Sequence, residues 1–239
     1  MVQIWVMLPT YNEAENIQPV IDRILSQPLD IGVVVVDDGS PDGTGEIADR
    51  LCTRYPGRVD VVHRLNERGR GTAGIAGFKR CLELGARWIV EMDADLSHNP
   101  DDLPRLLQAA QGCDLVVGSR YMPGGQDSER GLKRRVISWG ANVYLRTLLD
   151  LNLYDCSSGF KCYRREVLER LDLNTLHARG PEVGPESLYQ IKRSGFRIRE
   201  IPISFTDRRA GQSKLMNPRI MLTSLVFPWR VRLNCWEGA

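Results

Sequence analysis

Four consecutive β-branched residues, Val33-Val34-Val35-Val36, run directly into two carboxylates, Asp37 and Asp38. A strand without a polar break has no side that can face water, so it belongs in the middle of a parallel sheet with helices on both faces. The turn Asp37-Asp38-Gly39-Ser40 then lies at the strand's carboxyl end, where open α/β sheets bind ligands. The segment excludes helical bundles and one-sided antiparallel sheets.

The rest of the first half repeats this pattern. Strands are predicted over residues 2–8, 59–63, 88–92 and 115–117. Helices are predicted over 13–26, where Ile17, Val20, Ile21, Ile24 and Leu25 recur at helical spacing, and over 75–84 and 100–110. Ser40 followed by Pro41 predicts a helix cap and first turn. Five strands alternating with helices predict a doubly wound, Rossmann-like α/β sheet. Further on, the spacing predicts a helix over 134–151, a strand over 159–163, a loop over 173–185, a helix over 186–193 and an extended stretch over 196–205 broken at Pro202. No repeat or low-complexity linker divides the chain, and 239 residues suit one large domain with appendages.

Hydrophobic residues at 42% and charged residues at 26% exclude a disordered or membrane-embedded chain. Six cysteines without a CxxC pair, and a start lacking a signal peptide's basic residues, predict free thiols and a cytoplasmic location. The net charge of +2 hides an asymmetry: residues 1–118 carry 11 basic and 18 acidic side chains, residues 119–239 carry 21 and 12. An acidic half suits cations; a basic half suits phosphates or an anionic membrane surface, and no nucleic-acid partner is expected. The apolar run 220–229, flanked by Arg219, Arg230 and Arg232, is too short to span a bilayer, which takes about 20 residues. It reads equally as an interfacial helix, with Phe227, Trp229 and Trp236 at headgroup level, or as a helix packed on the domain or a partner.

Three acidic clusters fall at predicted strand ends: Pro9-Thr10-Tyr11-Asn12-Glu13, Asp37-Asp38 and Asp93-Ala94-Asp95. Carboxylates two residues apart are costly unless a cation neutralises them, and oxygen ligands favour Mg²⁺ or Mn²⁺. Mg²⁺ is usually held by one or two carboxylates together with substrate phosphates, which suggests a nucleoside diphosphate leaving group. The sequence Gly69-Arg70-Gly71-Thr72-Ala73-Gly74 matches the dinucleotide fingerprint but does not directly leave a strand. It is expected to be a flexible loop near the diphosphate rather than a nicotinamide site. His63 and His98 are read as incidental.

PTYNE, VVVVDDGSPDGT, MDADLSHNP, GSRY, SSGFKCYRRE and DRRAGQSKL, in this order over roughly residues 2–215, resemble the family-2 glycosyltransferases of the GT-A fold, and among them the polyprenol-phosphate (dolichol-phosphate) mannose synthases. The resemblance implies a GT-A domain over 1–215, with a nucleotide and metal half (1–118) and an acceptor half (119–215), followed by a C-terminal interfacial segment (216–239). It implies inverting transfer of mannose from GDP-mannose to a polyprenyl phosphate with Mg²⁺ or Mn²⁺.

Carried over to this chain, the resemblance implies that Pro9, Tyr11 and Glu13 line the nucleotide, with Tyr11 against the base, and that Val36 and Asp38 complete the nucleoside pocket. Asp93 and Ala94 meet the ribose and diphosphate, and Asp93 and Asp95 hold the metal. Arg120, Arg208 and Lys214 gather phosphates, while Arg134 and Ser138 meet the acceptor phosphate; Asp95, Arg120, Arg134 and Arg208 form the expected catalytic set. Arg134 also belongs to the run Lys133-Arg134-Arg135, and such runs are ordinarily solvated faces. Related members often carry Gln where this chain has Ser97, and apolar residues where it has Gly180–Glu186. The first leaves open whether Ser97 is a direct metal ligand; the second leaves the acceptor and the sugar open. Glu186 reads equally as structural or as part of the acceptor loop.

A phosphate monoester is largely ionised at pH 7, so no general base is needed. The lipid acceptor predicts peripheral docking at the cytoplasmic face of a membrane, with small membrane subunits as candidate partners. Trp139, Tyr144, Leu145, Leu148 and Leu149 are the expected interface residues, along with the C-terminal helix. The alternatives are a UDP-glucose-dependent glucosyltransferase, another family-2 enzyme, or a catalytically silent sugar-nucleotide-binding subunit.

Overall fold

The computed structural model describes residues 2–65, 67–127, 131–178, 180, 182–206 and 218–233. The first half alternates β1 (Ile4–Thr10), α1 (Ile17–Leu25), β2 (Ile31–Asp37), α2 (Thr44–Arg54), β3 (Val59–His63), α3 (Arg70–Glu83) and β4 (Trp88–Glu91). A 3₁₀ turn (Pro100–Asp102), α4 (Leu103–Ala110), β5 (Leu115–Ser119) and the two-residue β6 (Gln126–Asp127) follow. The second half holds α5 (Leu132–Leu148), β7 (Lys161–Arg164), α6 (Arg165–Arg170), α7 (Val183–Arg193), β8 (Ile198–Pro202), β9 (Ser204–Phe205) and α8 (Pro218–Leu233).

Seven strands make one sheet in the order β3-β2-β1-β4-β7-β5-β8. All neighbours are parallel except β7, which runs antiparallel between β4 and β5. All seven residues of β2 are buried, as its β-branched run demands. Val33 and Val35 enter one core with Leu8, Ile21, Leu103 and Phe160; Val34 and Val36 enter the other with Met7, Phe78, Leu145 and Leu188. This alternation between two faces requires helices on both.

Several local expectations are corrected. The glycine-rich stretch after Gly69 is helix α3, not a flexible loop. Its glycines let the helix lie close on the sheet: a Cβ at Gly77 would stand 2.8 Å from Met7 Sδ and 3.1 Å from Val36 Cγ2. The helix after β2 begins at Thr44, not at Ser40-Pro41, because the Ser40 hydroxyl is bonded to Asp37 while Asp42 Oδ1 accepts the Thr44 N–H and hydroxyl. Helix α7 reaches back to Val183, into the expected loop. Pro185 sits in its first turn, where a missing N–H costs nothing. Leu145 and Leu149 are buried in the core and Tyr144 packs against it rather than facing outward, while Leu148 is half-buried. The exposed apolar residues of α5 are Leu132, Val136, Ile137, Trp139 and Val143.

Candidate active site

The strand-end turns meet along the carboxyl edge of the sheet. After β1, three successive backbone N–H groups are fixed by the segment that follows β2. Asn12 donates to Ser40 Oγ (3.0 Å), Glu13 to Thr44 Oγ1 (3.0 Å) and Ala14 to Asp42 Oδ2 (3.1 Å). The PTYNE and DGSPDGT motifs are therefore one structural unit. Asn12 takes the left-handed conformation (φ 59°) that asparagine tolerates. Tyr11 is presented half-buried, with the Arg68 guanidinium 4.8 Å from its ring centre. Pro9 and Glu13 are half-buried beside it, and Glu13 Oε2 accepts from the Asn16 side chain.

Asp38 is placed differently from expectation. Its carboxylate is buried against Arg64 and accepts the Gly69 N–H (2.9 Å), so it organises the entry to α3. Burial raises its pKa, against the pull of the Gly69 N–H and of Arg64. Gly69 at φ 148° adopts a backbone that favours glycine. Val36 and Ala94 point into the two cores, so neither side chain lines a pocket.

The Asp-Ala-Asp turn follows β4. Asp95 is buried, and its Oδ1 accepts both the N–H of Ser97 (3.1 Å) and its hydroxyl (2.5 Å). Leu96 between them is left-handed (φ 61°), a conformation costing a non-glycine residue about 1–2 kcal/mol. Ser97 thus orients Asp95. Asp93 is more exposed; its Oδ1 takes Arg70 Nη2 at 2.6 Å and Nε at 3.2 Å. The same guanidinium reaches Glu91 Oε1 (3.2 Å), whose other oxygen accepts from Lys161 Nζ and Tyr163 Oη on β7.

His98 is not incidental. It is buried, stacked on Phe160 (5.2 Å) and edge-on to Phe205 (5.4 Å), and its Nδ1 accepts the Asp93 N–H (3.2 Å). Burial holds its pKa below the usual imidazole value, and the accepting Nδ1 puts the ring proton on Nε2. His98 therefore shapes the turn as a neutral ring. His63 is peripheral, paired with Asp49 at the surface.

Arg120, after β5, ties together segments of the second half, and one of its neighbours, Phe205, packs on His98 of the first. It grips Asp155 through Nε (2.7 Å) and Nη2 (2.8 Å), and Nη2 also reaches Ser157 Oγ (2.8 Å). Its guanidinium carbon lies 5.3 Å from the Phe205 ring centre and 5.2 Å from that of Tyr121. Tyr121 donates to Ser138 Oγ on α5 (2.8 Å). Asn142, one turn on, exchanges hydrogen bonds with Ser157. Arg134, Ser138 and Asn142 occupy one stripe of α5 at four-residue spacing, opposite the exposed apolar stripe.

Sequence reasoning missed Arg70, Glu91, Asp155 and Asn142, and dismissed His98. The only signals were position: Glu91 and His98 flank the acidic turn, and Asp155 precedes the SSGF motif. Arg208 and Lys214 lie outside the described residues, as does Trp236. Glu186 is structural, its carboxylate accepting the N–H groups of His177 (3.0 Å) and Ala178 (2.9 Å).

The described residues hold no group of three or more His, Cys, Asp or Glu able to cage a metal. What the turn offers as anionic ligands is two carboxylates, the His98 Nδ1 beside them being taken up by the Asp93 N–H. That fits a hard dication completed by phosphate oxygens better than a thiolate- or imidazole-bound metal.

A mainly parallel sheet with one reversed strand, carrying an Asp-Ala-Asp turn after β4, is the architecture of the GT-A glycosyltransferases. The profile of Glycosyl transferase family 2 matches residues 5–172, and the chain belongs to that family. It is 42% identical over 229 residues to the polyprenol monophosphomannose synthase of Mycolicibacterium smegmatis, covering 95% of this chain and 86% of that one. It is also 42% identical over 233 residues to the undecaprenyl-phosphate mannosyltransferase of Micrococcus luteus, covering 97% and 95%. Glucosyl-3-phosphoglycerate synthase from Mycobacterium tuberculosis, solved with Mn²⁺, UDP and glucosyl-3-phosphoglycerate, shares the fold: the TM-score is 0.69 at 22% identity, over 99% of this chain and 81% of that one.

Proposed function

We propose that the protein transfers mannose from GDP-mannose to a polyprenyl phosphate in a single inverting displacement. The carrying observation is Arg120. Locked to Asp155, it stands between the Asp95 turn, through Phe205 and His98, and the Arg134–Ser138 stripe, through Tyr121. An arginine held rigid between the donor turn and the acceptor stripe, its charge shared with Asp155, helps fix the geometry in which a nucleoside diphosphate and a phosphate monoester approach each other. The relatives' names supply the mannosyl and polyprenyl chemistry.

In this reading Tyr11 and the turn it sits in receive the base, and Asp93 faces the ribose. Asp95, oriented by Ser97, holds Mg²⁺ or Mn²⁺. The cation would neutralise the charge that develops on the departing diphosphate. Arg134 and Ser138 orient the acceptor phosphate, which is already ionised and needs no base. Arg208 and Lys214 are proposed to add positive charge on the donor phosphates.

No helix among the described residues is long and apolar enough to cross a membrane. The lipid tail is instead met by the outer faces of α5 and α8, where Trp139 and Trp229 are 58% and 52% exposed beside Leu132, Val136 and Leu225. The two helices touch, Tyr144 Oη donating to the Leu225 carbonyl. An apolar stripe edged by arginines suits the surface of an anionic bilayer. Peripheral docking at the cytoplasmic face, alone or with small membrane subunits, follows from this reading.

The test is radiolabelled sugar transfer to polyprenyl phosphate, read in the organic extract. Label from GDP-mannose supports the proposal. Label only from UDP-glucose replaces the donor, and nucleotide binding without any transfer identifies a binding subunit instead.

A further inference from the structure

Arg70 is a resident cation on the Asp93 side of the Asp-Ala-Asp turn. It extends from the first turn of α3, and two of its nitrogens converge on one oxygen of Asp93 while the third meets Glu91. The surroundings are built for it. A Cβ at Gly159 would stand 2.3 Å from Arg70 Nη2 and 3.4 Å from Asp93 Oδ1, so any side chain there would have to push the guanidinium off its present place. Glu91 is in turn tied to Lys161 and Tyr163, which fixes the far side of the guanidinium.

We infer that Arg70 makes cation uptake conditional on the donor: it commits Asp93 as its own counter-ion and leaves Asp95 as the protein's principal metal ligand. This rests on the reading of the Asp95 turn as the cation site. A guanidinium hydrogen-bonded to Asp93 cancels one of the two charges that would attract a dication, and it repels that dication at close range. Two carboxylates would bind metal without nucleotide; one carboxylate beside an arginine needs the negative charge of the diphosphate. The enzyme therefore takes up cation and donor together. Arg70 is a positioning residue, acting through Asp93 and the local field.

Mn²⁺ titration of the full chain, with free Mn²⁺ read by electron paramagnetic resonance, with and without GDP, tests this. Wild type binds weakly alone and tightly with GDP. Arg70→Met binds Mn²⁺ alone about ten-fold or more tighter and loses most of the enhancement by GDP, whereas Arg70→Lys, which keeps the charge, stays near wild type. Unchanged or weaker Mn²⁺ binding by a folded Arg70→Met overturns the inference. Should that variant not fold, Arg70→Gln, which removes the charge but keeps a polar side chain of similar reach, decides: tighter Mn²⁺ binding without GDP supports the inference, and unchanged or weaker binding overturns it. Mn²⁺ binding indifferent to Asp95→Asn, or absent from wild type with GDP, brings down the cation reading itself and this inference with it.

Discussion

Arg120 and Asp155, 35 residues apart in sequence, form a two-pronged ion pair with side chains 9% and 0% exposed. Removing the carboxylate leaves a buried charge uncompensated, which typically costs about 3–5 kcal/mol. Asp155→Asn should lower the melting temperature and reduce turnover. Burial alone would raise the Asp155 pKa; the charge of Arg120 and its hydrogen bonds outweigh that and lower it. A carboxyl with a depressed folded pKa stabilises above its unfolded value, about 3.9, and that contribution is lost as pH falls through the folded pKa. The gap in melting temperature between wild type and Asp155→Asn should therefore be constant above about pH 5 and close toward acid. A gap that widens on acidification would refute the assignment.

Asp95→Asn keeps the shape of the side chain and removes its charge. Transfer should drop to background while the thermal midpoint stays within a few degrees. Measured turnover above a tenth of wild type would exclude Asp95 as the proposed cation ligand.

Gly159→Ala puts a methyl group where Arg70 lies. Overpacking of this kind costs about 1–3 kcal/mol. Urea denaturation should show a loss in that range, together with reduced kcat. Wild-type stability would mean that the SSGF loop yields more easily than its contacts suggest.

Ser138→Ala and Arg134→Ala should raise the KM for polyprenyl phosphate and leave the KM for the nucleotide sugar alone. A lost neutral hydrogen bond is worth about 1 kcal/mol and one to a charge about 1.5–3 kcal/mol, so the arginine variant should be the more severe. Steady-state kinetics with each substrate varied in turn separates the two; a donor KM that moves equally would place the stripe at the wrong substrate.

Trp139→Glu combined with Trp229→Glu puts charge on the exposed faces of α5 and α8. Flotation with anionic liposomes should be lost, while transfer to a short-chain, detergent-dispersed acceptor persists. Undiminished flotation would point to another docking surface.

The central strand was legible because a run of β-branched residues admits a single environment, and the strand-end acids followed from it. The Asp-Ala-Asp turn could be located for the same reason, because its position after a strand is local, whereas only the family resemblance names Arg134 and Ser138. Arg70, Glu91 and Asp155 could not, because each acquires meaning only from a partner brought close by the sheet. Arg70 was further hidden by its neighbours, since a stretch rich in glycine reads as loop until packing on Met7 and Val36 makes the helix worthwhile. His98 escaped because a lone histidine carries no pattern; the aromatic rings that bury it lie 62 and 107 residues further along the chain. Asp37 and Asp38, adjacent in the sequence, meet different partners, the first bonding Ser40 in the turn and the second facing Arg64.

Strand β7 runs against its neighbours in the middle of the sheet, and it comes from the half of the chain that also carries α5. A hybrid that borrowed the later half from a cousin would import a central strand with it, including the lysine and tyrosine that brace Glu91. On the proposed division of roles, lipid preference and sugar-nucleotide chemistry would be inherited as a linked pair. New acceptors are reached more easily by altering the loops around β7 than by exchanging what it belongs to.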